Sequence, residues 1–196
     1  MKITISKNWI GVLLFIIIAF TVPYQLFTKN CVLWNCPPKR DFTIFDLDIP
    51  SHFYPKGSEI IALVPDRSPA IEQALGGARW KGGTALYLPK KFGTNNLASK
   101  WFNNQIKLDL LKQNPDLSEE ISVKNILNFQ SGFADESLTK CGYIQNDFSC
   151  AYFSRYQEYY IYFNASIDEE KMSAENFINV LEYIDSMMMN LLEIQN

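Results

Sequence analysis

Apolar residues follow three different patterns along this chain. The first is an unbroken run. Residues 8–28 carry no charge, Lys7 and Lys29 flank them, and 9–22 is almost wholly apolar. A helix needs roughly 20 apolar residues to cross a ~30 Å hydrocarbon core. The run from Trp9 to Phe27 reaches that length, with Trp9 and Tyr24 placed as interfacial aromatics and Pro23 near its far end. No polar face interrupts it, so it does not read as a buried helix of a globular core. It predicts a membrane anchor over 1–28. The alternative is a secretory signal peptide, with Lys2 and Lys7 as its basic start and 10–22 as its apolar region. Its exit, 23–31, lacks the small residues of a cleavage site, which favours the uncleaved anchor.

The second pattern is alternation. Residues 41–48 alternate for much of their length and stop short of Pro50, which predicts a first strand. Residues 51–83 hold Pro55, Gly57, Pro65, Pro69, Gly76, Gly77, Gly82 and Gly83. That stretch reads mostly as loop, with a short strand at 59–64 and a helical turn at 70–75. A strand at 84–88 stops at Pro89, and 121–129 leans to strand. The strongest β signal is 140–164, where 150–156 and 159–163 are rich in aromatics. Gln157 and Glu158 separate them as a tight hairpin without the favoured glycine.

The third pattern is helical. Thr94 can cap a helix running toward Lys112, with Leu97, Trp101 and Phe102 on one side. Ser173 can cap a second, with Met172 and Phe177 at hydrophobic-staple spacing. Phe177, Val180, Leu181, Ile184, Met188 and Leu191 then recur at helical intervals and form its core face. The order β–β–α–β–β–β–α predicts an α+β domain: one antiparallel sheet packed by about two helices on one face. The domain occupies 41–196, joined to the anchor by a juxtamembrane stalk over 29–40.

Charge refines the picture. Residues 1–40 hold five Lys or Arg and no acid; the other 156 hold 13 basic and 21 acidic residues, a net of −8. That excludes a general nucleic-acid binder, whose phosphate contacts need a basic surface. Within the domain, 76–112 nets +6 and 167–196 nets −6. Two solvated faces explain this. The sharper reading has Arg79, Lys81, Lys90 and Lys91 meeting an acidic partner or ligand.

Cysteine spacing bears on location. Lysines lie on both sides of the apolar run, so the positive-inside rule does not orient it. The four cysteines fall in close pairs, Cys31 with Cys36 and Cys141 with Cys150. Paired cysteines fit an oxidising compartment, so the large domain is expected outside the cytoplasm. Turn-forming Asn146 and Asp147 would set Cys141 opposite Cys150, near the ~5.5 Å Cα spacing of a disulfide.

Candidate chemistry is sparse. His52 is the one histidine, and no Gly-x-Ser-x-Gly elbow accompanies it. Cys141-x8-Cys150 lacks structural-zinc spacing. The stretch 77–84 misses a phosphate-binding loop, because Gly83 stands where lysine is needed and a strand follows. Asp46 and Asp48 are half of an oxygen-ligand set. Asn164-Ala165-Ser166 is a glycosylation sequon. No cofactor, metal or catalytic set is expected. The chain therefore reads as a membrane-anchored extracytoplasmic binding or scaffolding module with a protein partner. The alternatives are a membrane-bound hydrolase using carboxylates, or an inhibitor or immunity-type protein.

Overall fold

The structure, a computed structural model, describes residues 7–29, 36–66, 70–108, 125–144 and 147–193. The first element, α1, is a helix over Lys7–Lys29. Six strands follow: β1 Glu59–Pro65, β2 Glu72–Trp80, β3 Gly83–Lys91, β4 Glu136–Ile144, β5 Asp147–Tyr156 and β6 Tyr159–Ser166. They form one antiparallel sheet in the order β1-β2-β3-β6-β5-β4. Two three-stranded meanders thus meet side by side through β3 and β6. Helix α2, Asn95–Leu108, follows the first meander, and α3, Ala174–Glu193, follows the second. The α+β class and the antiparallel sheet are as the patterning predicts.

The helices do not share a face. Tyr152, Ile161 and Phe163 join Phe177, Val180, Leu181 and Ile184 of α3 in the larger core. Ala151, Phe153 and Tyr160 project from the same strands to the other side, against Ala98 and Phe102 of α2. The domain therefore has three layers rather than two. The reason lies in the sequence of β5: Cys150, Ala151, Tyr152 and Phe153 are all buried, as in a strand covered on both faces.

Four further expectations are corrected. Residues 41–48 are not a strand. Thr43 and Asp46 close a capping box over a 3-10 helix at Ile44–Leu47. These local hydrogen bonds compete with strand pairing. The segment becomes a strap whose Phe42, Ile44, Leu47 and Ile49 cover the α3 side of the sheet.

Residues 72–80 are not a loop or a helical turn but strand β2, between β1 and β3. Its glycines mark close backbone approach. A Cβ at Gly77, where φ is +144°, would lie 2.1 Å from the Ala85 carbonyl oxygen.

Pro89 does not end β3. It pairs with Ile161 on the β6 side, and on the β2 side it falls between the paired positions Tyr87 and Lys90, where a missing N–H is tolerated.

Residues 125–127 are helical, and Ile126 is fully buried. This replaces the strand expected over 121–129; its first part, 121–124, lies outside the described residues.

Thr94 caps α2 through its hydroxyl, which accepts from the Leu97 amide at 3.1 Å. Ser173 caps α3 in the same way, accepting from Asn176 at 3.2 Å. The core face of α3 ends on Leu192 rather than Leu191.

At the β5–β6 hairpin, Tyr156 pairs with Tyr159. Gln157 takes a φ of 53°, the positive value that the first central position of a type II′ turn requires. Beside it lies a fully buried ion pair: Arg40 Nε donates to Glu158 Oε1 at 3.0 Å, with both side chains 0% exposed. Phe42 stacks on Tyr159 just beyond, with ring centroids 5.3 Å apart. The strap is thereby tied to the sheet at its N-terminal end.

Candidate functional site

Two open cavities flank the 51–58 turn. One, of about 510 Å³, lies between His52, Phe53 and Tyr54 and the outward face of α3, which presents Asn176, Asn179, Glu182, Tyr183 and Ser186. The other, of about 590 Å³, shares His52 and Tyr54 and continues past Lys56 and Ser58 to Ile60. Together they make one elongated groove. Helical periodicity builds one wall, because positions 176, 179, 183 and 186 stack on one side of α3. A 3-10 helix at Ser51–Phe53, set after Pro50, builds the other.

Aromatic rings pave the groove between its walls. Phe53 and Tyr183 sit 4.7 Å apart between centroids, and the His52 ring lies 4.4 Å from Phe53. Tyr54 is buried behind them, and burial together with Asp48 raises its pKa well above the ordinary tyrosine value. Burial raises that of Tyr87 further, with Tyr54, Asp48 and Tyr183 adding to the effect. The Tyr87 hydroxyl has no hydrogen-bond partner among the described residues.

A second polar cluster is internally satisfied. The Tyr156 hydroxyl lies 3.2 Å from that of Tyr152 and donates to Asp185 Oδ1 at 3.1 Å. Asp185 also accepts from Ser131 and from the Gly132 amide. This network fastens α3 to β5 and to the 131–134 turn, and it leaves no open position for a ligand.

The four basic residues of the sharper charge reading are not brought together. Arg79 and Lys81 lie at the β2–β3 turn, and Lys171 donates to the Lys81 carbonyl. Lys90 and Lys91 lie at the far end of the nine-residue β3, roughly 25 Å away at ~3.3 Å per residue. Lys91 faces Glu72 at 3.8 Å.

Lys90 is 6% exposed and sits 4.1 Å from the centroid of the Trp101 ring. Burial pulls its pKa from 10.5 down to about 8, with Asp66 opposing. The unfolded chain then holds a proton that folded Lys90 has lost between about pH 8 and 10.5, so stability rises with pH across that window. Unfolding free energy is expected to gain about 1–2 kcal/mol between roughly pH 7.5 and 9.5 relative to Lys90→Met, measured by urea titration. Equal pH slopes in the two proteins would contradict this.

Other sequence candidates take structural roles. The Asp46 carboxylate accepts from the Thr43 amide at 2.7 Å and from its hydroxyl at 2.9 Å. Asn164, in the sequon, lies on central strand β6 and donates to the Cys150 carbonyl at 3.2 Å. Cys141 and Cys150 are cross-strand partners with their sulfurs bonded and Cα atoms 4.1 Å apart. Cys36 is also disulfide-bonded, and Cys31, its expected partner, lies outside the described residues. Asn146 lies outside them as well.

A feature that sequence reading did not single out is the outer edge of the sheet. Strand β1 pairs with β2 alone. Its Ile60, Ile61 and Val64 are 41%, 40% and 51% exposed. Ile61, Gly77 and Leu86 form one cross-strand row, and Leu86 is 40% exposed. The Ile-Ile-Ala-Leu-Val run at 60–64 was the available signal.

Among the described residues, no helix is long and apolar enough to cross a membrane. The described side chains of α1 cover only 9–24. No family model matches the chain, and no curated protein or solved structure is significantly similar to it.

Proposed function

We propose that the chain is a membrane-anchored extracytoplasmic binding module that engages a protein partner by strand addition to β1. The observation that carries this reading is the open apolar edge. Folded domains protect a terminal strand with charge, proline, a bulge or a covering element, because its unpaired amides and carbonyls recruit other strands. In β1 the charge and the proline stand only at the ends, as Glu59 and Pro65, and although its register with β2 shifts between Ile61 and Val64, the side chains of Ile60, Ile61 and Val64 remain exposed. An added strand would satisfy the outer backbone groups, while its alternate side chains would pack against the exposed Ile60, Ile61 and Val64.

Anchoring rests on the sequence of the Trp9–Phe27 run. Helix α1 has 23 residues, about 34 Å at 1.5 Å each, and its apolar side chains from Ile10 to Phe20 are exposed on every side. Two disulfide-bonded cysteine positions on the sheet and one beside the stalk support a domain outside the cytoplasm.

The test is a photo-cross-linking amino acid placed at position 61 or 97 of the full chain in its native membranes. Leu97 is equally exposed but sits on α2. A discrete protein adduct is expected from position 61 and not from 97, and Val64→Lys should abolish it. Equal labelling from both positions, or persistence in the Val64→Lys protein, would refute strand addition.

A further inference from the structure

The groove beside α3 touches β1 at Ile60 but has its own chemistry. We propose that it binds an oligosaccharide, with sugar rings resting on Phe53 and Tyr183 and hydroxyls held by Asn176, Asn179, Glu182 and His52. This does not rest on strand addition at β1, and its test is separate.

The wall chemistry selects among ligand classes. A phosphate ligand would need cations, yet among the described residues Lys56 is the sole Lys or Arg lining either half of the groove. A divalent cation would need several oxygen ligands, whereas among the described residues Glu182 is the sole carboxylate lining it. A lipid or other apolar ligand would need aliphatic walls, and none line the α3 half. An extended peptide would need free backbone groups to pair with. Here one wall is a helix whose amides and carbonyls are bonded internally, and the other is a 3-10 helix.

A sugar presents the opposite need. Its ring offers an apolar C–H face, and its rim offers hydroxyls that both donate and accept. Aromatic faces match the first. Asparagine amides, a serine hydroxyl, imidazole and carboxylate match the second, since together they supply donors and acceptors in fixed planes. The volumes, about 510 and 590 Å³, are each of small-molecule size. The shared His52 and Tyr54 make the groove long enough for consecutive rings.

The experiment is a titration of the full, isotope-labelled chain in micelles of a detergent without a sugar headgroup, followed by amide NMR. The probes are maltotriose, cellotriose, the trisaccharide of N-acetylglucosamine and a blocked alanine tripeptide. At least one trisaccharide is expected to shift the Asn176 and Asn179 side-chain amides and the Gly57 backbone amide, saturably below about 10 mM. Asn179→Ala and His52→Ala should each weaken binding about tenfold; Asn190→Ala, on the same helix beyond the groove, should not. Both test positions are exposed, so the fold is retained. The proposal is overturned if no trisaccharide shifts these signals, if the tripeptide binds more tightly at the same residues, or if Asn179→Ala and His52→Ala bind like the parent.

Discussion

Glu158→Ala is expected to destabilise the domain by about 3–5 kcal/mol, the largest effect of any single polar substitution here. The partner it abandons, Arg40, has no exposed side-chain surface. The guanidinium would be left buried without its counter-charge. Even with Glu158 present, Arg40 Nη1 has no hydrogen-bond partner among the described residues. Arg40→Ala should cost a similar amount for the mirror reason. The pair itself is a different matter. Burying two charges costs desolvation that their attraction barely offsets, so Arg40→Met with Glu158→Leu together should fall close to the parent. Urea unfolding followed by tryptophan fluorescence checks all three. Single variants within about 1 kcal/mol of the parent would show that the strap does not seal this corner as described.

Cys141→Ala with Cys150→Ala is expected to cost about 2–3 kcal/mol, the loop-closure value for a separation of nine residues. The two residues are direct partners on β4 and β5, and Cys150 is fully buried in the α3-side core. Because β4 is the other edge of the sheet, the bond holds a strand that has a neighbour on one side only. Loss should therefore loosen β4 before the centre, and its amides should exchange first. Peptide mapping without reductant should recover Cys141 linked to Cys150. Free thiols at both positions in unreduced protein would remove this link and the compartment argument with it.

What could be read from the sequence depended on whether local and tertiary preferences agreed. They agree at α3, where Ser173, the apolar spacing and the final fold give one answer. They agree at the Gln157–Glu158 hairpin and at the Cys141–Cys150 register. They disagree at β2. Gly76 and Gly77 read as a loop alone but are required by the approach of the Ile61 and Ala85 carbonyl oxygens, a fact of three strands together. They also disagree over 41–48, where the alternation was real but the Thr43–Asp46 capping box broke the strand. The second helical layer was hidden because an apolar run such as 150–153 does not show which faces are covered.

The groove was least legible. His52 was visible as a lone histidine, but Asn176, Asn179 and Tyr183 were ordinary polar positions on a helix until the 51–58 turn packed opposite them. The basic cluster failed for the converse reason. Neighbours along a strand hairpin can lie at opposite ends of it, as Arg79 and Lys91 do.

The central claim is that an N-terminal anchor holds this domain outside the cytoplasm. Its most direct test is alkaline carbonate extraction of cells expressing the full chain, with a membrane-impermeant protease added to intact cells or spheroplasts. The chain should remain in the membrane pellet, and external protease should remove the 41–196 domain. Release of the chain by carbonate, or a domain fully protected until the membrane is opened, would contradict the account.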